Sequence, residues 1–296
     1  MRRIRAWGPG FLLVLPSLVL LGIFVYGFLG WNVRVSFTDW MQFGQTSGFV
    51  GLERYSELAD NEVWWRDVRH LLVFTFVFVG GALLFGFLVA LLLEKGVWAE
   101  NFFRSVYLFP MAVSFIAVAI IWRWLLDNGS GVNTAGINKL FDYVGLGFLH
   151  SNWHKADSEW AVAAVALPAG WALSGYVMAL FLAGMRGVPD ELREAARVDG
   201  AREAKVFWHV VRPMLWPVVM SALVILAHIS LKTFDLIYAI DLRSPKIETP
   251  AVYMWFQTFQ ANFYARGAAV ATLLLLGVAV FIVPYIWYSL RTERRR

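Results

Sequence analysis

The sequence predicts an all-α integral membrane protein with about six transmembrane helices, organised as one membrane domain over 1–296 with both termini in the cytoplasm. Three observations carry this reading: long stretches without charge, tryptophan at their ends, and Lys and Arg concentrated on one set of connections. The chain is 59% hydrophobic and 16% charged, whereas a soluble domain carries about 25% charged residues.

No Asp, Glu, Lys or Arg occurs in 6–33, 71–93, 105–122, 160–185, 213–231 or 267–290. About 20 apolar helical residues cross a hydrocarbon core of about 30 Å. Backbone N–H and C=O groups find no water there, so each run is a helix and not an open strand. The spans are placed at 9–31, 71–93, 105–124, 160–185, 213–239 and 267–290. The N-terminal run is too long for a secretion signal and no small-residue cleavage site follows, so it reads as a retained first span. Pro110 interrupts the third run. Trp7, Trp31, Trp98, Trp124, Trp160, Trp216 and Trp287 lie near run ends, where an amphipathic ring sits at headgroup level.

Arg2, Arg3, Arg5, Lys95, Arg104, Arg186, Arg193, Arg197, Arg202, Lys205, Arg212, Arg291, Arg294, Arg295 and Arg296 fall on the tails and on the second and fourth connections. The opposite, longer connections hold ten Lys and Arg. The positive-inside rule therefore puts both tails and the loop 186–212 in the cytoplasm. In the outer connection 34–70, "FTDW" and "LERYSEL" predict partly helical caps, not a separate module. The net charge of +5 is scattered along membrane flanks and does not indicate nucleic acid. There is no cysteine, hence no disulfide or thiolate metal site.

No catalytic or nucleotide-binding pattern is found. "GVNTAGIN" lacks the lysine of a phosphate loop, and neither HExxH nor GxSxG occurs. His150 and His154 are four apart, but in a Gly/Asn/Trp-rich outer loop with no convincing carboxylate partner, so no metal site is assigned. If the chain does energised work, the energy comes from elsewhere.

The cytoplasmic loop contains "VPDELREAARVDGAREAKVFWHVVRPMLWP". Proline and two acidic residues favour a helix start. Leu192, Ala195 and Ala196 share an apolar face, with Arg193 and Arg197 pointing elsewhere. Gly200 ends this helix. A second helical piece, 202–211, is expected to stop at Pro213 before the fifth span.

"EAARVDGA", followed by Phe207, Val210 and Pro213, resembles the EAA loop of permease subunits of ATP-binding-cassette importers. Arg212 stands where the family pattern has leucine, and "VPDEL" and "MLWP" also fit. "FRSVYLFPMAVSFIAVAIIWRWLLDNGSGVN" and "TFDLIYAI" resemble the carbohydrate-uptake branch, although 241–245 reads "DLRSP" in place of Thr-x-Gly-Gly-Pro. The resemblance implies the transmembrane fold of a type I importer in the cytoplasmic (inner) membrane of a bacterium or archaeon. It implies a second permease, two ATPase subunits that hold ATP and Mg, and an extracytoplasmic solute-binding protein, with no cofactor on this chain. Coupling to the ATPases falls on Leu192, Glu194, Ala195, Ala196, Asp199, Gly200, Ala201 and Pro213.

In the fifth span, steps of seven, four and three place Ser221, His228, Lys232 and Asp235 on one helical face. Charged groups inside membranes commonly mark a pathway. Two readings stand: Lys232 and Asp235 pair structurally near the outer boundary, or they line a solute path with His228. In the second, Tyr238, Tyr176 or Trp171 stack on a sugar ring. A sugar is the expected solute, with glycerol phosphate or a polyol as the alternative. An ion-coupled secondary transporter would show internal repeats and broken helices, and neither is evident in the sequence.

Overall fold

The computed structural model describes residues 2–41, 48–127, 129, 135–242 and 244–293, with side chains for all of these except 2–10, 12, 281, 288–290, 292 and 293. Arg243, Arg294, Arg295, Arg296 and positions 131–134 of the "GVNTAGIN" string lie outside the described residues, as do the side chains of Arg2, Arg3, Arg5 and Trp7.

The described residues are almost wholly helical. Helix α1 (Arg2–Leu21) runs through a π turn into α2 (Phe28–Ser36), followed by α3 (Glu53–Ala59) and α4 (Glu62–Glu94). Next come α5 (Glu100–Ala112), α6 (Phe115–Leu125), α7 (Gly136–Tyr143) and α8 (Trp160–Arg186). The second half holds α9 (Asp190–Val198), α10 (Glu203–Val206), α11 (Arg212–Leu231), α12 (Asp235–Ile240), α13 (Pro250–Trp255) and α14 (Tyr264–Glu293). Among the described residues five helices are long and apolar enough to cross a membrane, and six spans result if α5 and α6 count as one. Trp31, Trp98, Trp124, Trp160, Trp216 and Trp287 are all more than half exposed, as anchors in a headgroup layer require.

The chain packs as two units, 1–64 with 253–276, and 65–252 with 277–296. In the first, Asn32 on α2 donates to the Ala268 carbonyl at 3.2 Å and to Thr272 Oγ1 at 3.1 Å on α14. The outer connection supplies α3, whose Arg54 meets Glu57 at 2.6 Å, and Glu57 also binds Arg266 at 3.0 Å. The expected cap in "LERYSEL" is α3, preceded by an isolated bridge between Thr38 and Phe49.

In the second unit α8 is the central helix. Ala161, Val165, Ala169, Ala172, Val177 and Phe181 are buried along it. Small residues let backbones approach, which is how helices pack where no hydrophobic drive separates side chain from lipid. A methyl group on Gly175 would collide with the Tyr107 carbonyl of α5, and one on Gly86 of α4 would lie 2.7 Å from the Ser174 carbonyl.

Three interruptions depart from the sequence expectation. The stretch 105–124 is not one straight helix, because α5 and α6 bend by 98°. Pro110 weakens the end of α5, Val113 is extended, and Ser114 starts α6 by accepting from the Ala117 N–H at 3.2 Å. Pro213 does not stop a helix. It occupies the first turn of α11, directly after the π turn Phe207–Val211, whose wider ring relieves the clash proline makes with the preceding turn. Finally, the helix ends at Leu231, so Asp235 does not continue the face of Ser221, His228 and Lys232.

Candidate functional site

Two features stand apart from the packed core: the helix–turn–helix of 190–206 and a polar cleft around the break at 232–234. In the first, Pro189 precedes α9, and Asp190 and Glu191 occupy its first turn, where carboxylates complement the positive end of the helix dipole. No residue of α9 is buried. Leu192 is 46% and Val198 86% exposed, so the helix presents aliphatic side chains that nothing among the described residues covers. Ala195 and Glu194 are also exposed, and Ala196 is half-buried.

The turn has a defined hydrogen-bond pattern. Gly200 sits at φ +81°, its N–H donates to the Arg197 carbonyl at 2.9 Å, and the Ala201 N–H donates to the Ala196 carbonyl at 3.0 Å. This is a Schellman motif, in which the left-handed residue satisfies the last carbonyls of the helix. Ala196 and Ala201 are therefore cap residues as well as members of the expected coupling set, and Asp199 is the exposed residue at the helix end.

Arginines tie this element to the spans. Arg193 donates to Glu94 at the end of α4 and to the Met185 carbonyl of α8, both at 2.7 Å. Its side chain is 17% exposed, so the pair is largely out of water and its loss would leave a poorly solvated charge. Arg186 binds Glu100 at the start of α5 at 2.7 Å. Across the turn Arg197 clasps Glu203 of α10 through Oε1 at 2.7 Å and Oε2 at 3.3 Å. That hydrogen bond raises the Arg197 pKa further above its ordinary value. Both partners are exposed, so the clasp sets the angle between α9 and α10 more than it adds stability. These contacts bring the ends of α4, α5 and α8 to one side, the side the basic-residue count assigns to the cytoplasm.

The second feature is an open cleft of about 140 Å³ lined by Phe115, His228, Ile229, Lys232, Thr233, Phe234, Asp235 and Leu236. It exists because α11 stops. The Lys232 and Thr233 N–H groups donate three residues back, to Ile229 and Ser230, tightening the last turn, and the Thr233 hydroxyl caps the Ile229 carbonyl at 3.0 Å. Ser230, buried, receives a hydrogen bond from Thr75 of α4 at 2.9 Å. After the break, α12 packs on α6. Lys232 Nζ lies 3.3 Å from His228 Nε2, so an ammonium donor there places the imidazole proton on Nδ1, which is buried without a hydrogen-bond partner. Lys232 and Asp235 line the same cleft without an ion pair within 4.0 Å between them. The cleft thus offers an ammonium, a carboxylate and two phenyl faces.

Of the other aromatic candidates, Tyr238 packs against Phe234 with ring centres 5.1 Å apart, next to the cleft. Trp171 lies elsewhere: it packs beside Trp122 at 6.0 Å and lines a separate apolar cleft with Phe85 and Leu88. Tyr176 packs against the core of the unit and does not line the polar cleft. His150 does have a carboxylate partner, Asp142 at 2.9 Å, contrary to expectation, whereas His154 is buried. The two histidines serve different surroundings, and no cluster of metal-ligating side chains exists among the described residues.

Comparison with known proteins decides the family. Residues 82–296 match the family described as binding-protein-dependent transport system inner membrane component. The chain belongs to this family. It is 39% identical to a probable ABC transporter permease protein of Pyrococcus horikoshii, over 96% of each chain. It is 33% identical to the xylose/arabinose import permease protein of Haloferax volcanii, covering 92% of this chain and 84% of the relative. A bacterial ABC transporter involved in import of the acidic polysaccharide alginate has the same fold, with a TM-score of 0.79 at 18% identity over 98% of both chains.

This permease is accordingly a multi-pass membrane component of a binding-protein-dependent ABC system, and its own work is transport. The sequence pointed to the α9 turn and missed what holds it: Glu94, Glu100, Arg186 and Glu203. A usable signal existed, since acidic residues flank a connection that positive-inside counting had already placed beside the basic loop.

Proposed function

We propose that this permease pairs with a second permease subunit to form the path of an ATP-driven importer that brings a sugar into the cytoplasm across the cytoplasmic membrane of a bacterium or archaeon. The observation that carries the proposal is α9: a helix with no buried residue, aliphatic on its free surface and rigidly capped at Gly200. Two ATPase subunits hold ATP and Mg, and one receives this helix against Leu192, Ala195, Val198 and the Gly200 turn. Closure of the ATPases pushes the helix. Arg193 passes the displacement to α4 through Glu94 and to α8 through the Met185 carbonyl. An extracytoplasmic binding protein supplies the solute.

For the solute, the polar cleft joins a hydrogen-bond donor, Lys232, and an acceptor, Asp235, to the phenyl faces of Phe115 and Phe234. Hydroxyls engage the first two and the apolar face of a pyranose or furanose ring packs on the others. The name of the Haloferax relative, a pentose import permease, agrees with this chemistry. The deciding experiment reconstitutes the complete complex in liposomes and measures uptake and ATP hydrolysis against pentoses, hexoses, disaccharides, polyols and sn-glycerol 3-phosphate. Stimulation by one sugar with its binding protein is expected. Uptake of glycerol phosphate or a polyol alone would replace the sugar assignment, and uptake without any ATPase subunit would sink the coupling assignment.

A further inference from the structure

The hairpin between α6 and α8 carries an apolar surface that transport as proposed does not use. Helix α7 is amphipathic. Ile137 and Phe141 turn inward onto Trp122 and Trp153, and Asn138 is buried. The Asn138 side chain knots the hairpin: it donates to the Ser151 carbonyl at 3.0 Å and accepts from Trp153 Nε1 at 2.9 Å and from the Ser151 N–H at 3.3 Å. With these contacts the helix cannot roll, and the edge it turns outward is fixed. That edge and the turn after it expose Leu140 (57%), Tyr143 (80%), Val144 (58%) and Phe148 (80%).

Four neighbouring apolar side chains facing water would be costly, and such patches mark an interaction surface. The occupant follows from depth. A methyl on Gly136 would collide with the Leu125 carbonyl, so the start of α7 rests on the end of α6. Trp160, the first residue of α8, donates through Nε1 to Ser151 Oγ at 3.2 Å. The hairpin is thus held at the ends of two membrane helices, opposite the α9 end of α8. Trp124 and Trp160 project there, 63% and 55% exposed, as headgroup-level rings do.

We propose that α7 and the turn through Phe148 form an interfacial anchor, lying in the boundary between headgroups and acyl chains of the outer leaflet. Leu140, Val144 and Phe148 enter the acyl layer and Tyr143 stays at the headgroups. Lys139, exposed on the polar side, reaches lipid phosphate. The anchor keeps the outer ends of α6 and α8 at constant depth while α9 is pushed from the other side.

This chain contains no cysteine, so each variant gives it one labelling site. Single variants Phe148→Cys, Tyr143→Cys and, on an exposed polar position of the same connection, Asp157→Cys are labelled with an environment-sensitive fluorophore. Each is read in the full complex, reconstituted in phosphatidylcholine/phosphatidylglycerol vesicles. Expected is a blue-shifted probe at Phe148 and Tyr143, quenched at least twofold more by headgroup-nitroxide lipid than by aqueous iodide, with the reverse at Asp157. If iodide quenches position 148 as strongly as position 157, the surface faces water and the proposal fails. It also fails if position 148 is shielded from iodide only after purified solute-binding protein is added, since the surface then docks a protein. Should Phe148→Cys not assemble, the same two outcomes at Tyr143→Cys decide the proposal.

Discussion

At Gly200 the helix stops because its backbone takes φ +81°, a conformation glycine adopts freely, and two hydrogen bonds close the cap. At Lys232–Phe234 the helix stops in "LKTF", with neither glycine nor proline to announce it. The first break is local chemistry, written in one residue. The second is imposed by packing: Thr75 holds Ser230 from α4, and α12 is drawn onto α6. A locally coded turn keeps its shape when the spans move, which is what the proposed ATPase pad requires. A break held by neighbouring helices changes when they shift, which is what the proposed solute cleft requires.

The comparison makes graded predictions. The largest effect is expected at the local break. Gly200→Val forces a β-branched residue to positive φ at a cost above the roughly 1–2 kcal/mol of an ordinary residue. Uptake in liposomes should fall about tenfold or more, while Gly200→Asn, which tolerates that region, loses far less. Equal uptake by both variants would remove the coupling role from this turn.

Next is the link from pad to spans. Arg193→Gln and Glu94→Gln should each lower uptake per ATP hydrolysed about fivefold, and the double variant should be little worse, because partners in one contact are non-additive. Additive losses would show that the two residues act separately.

At the packed break the expected effect is more modest. Asp235→Asn keeps the shape and an acceptor oxygen but removes the charge, and should raise the apparent KM for sugar about threefold to tenfold, the roughly 0.7–1.4 kcal/mol by which a charge-assisted hydrogen bond exceeds a neutral one. An unchanged KM in a properly assembled complex places the solute elsewhere.

The smallest effect is a control at a residue that lines neither break. His154 has its pKa lowered from 6.5, first by burial and then by Lys155. The unfolded chain therefore takes up the proton first as pH falls, so stability present above about 6.5 is lost below it. The melting temperature should drop a few degrees between pH 7.5 and 5.5, and His154→Phe should flatten that slope without changing the Gly200 phenotypes.

Most of the spans and the α9 turn were legible in the sequence because each rests on a local or bulk property. Exclusion of charge from hydrocarbon marks the spans and glycine marks the cap. The 98° bend between α5 and α6 was half legible, since Pro110 is visible but Ser114 as a helix start inside an apolar run is not. Among site residues, the turn 195–201 was readable, whereas the separation of Trp171 from the cleft depends on which face of α8 meets which neighbour.

By itself, then, the sequence determined that the chain crosses a membrane, which connections are basic, and that a rigid turn must form at Gly200. Only the tertiary structure decided that His228, Lys232 and Asp235 line one cleft at a broken helix, that Arg193 reaches α4 and α8, and that α7 turns an apolar edge outward. The physical reason is range: burial and backbone preference act within a few residues, while these contacts join positions up to about a hundred residues apart, such as Glu94 and Arg193.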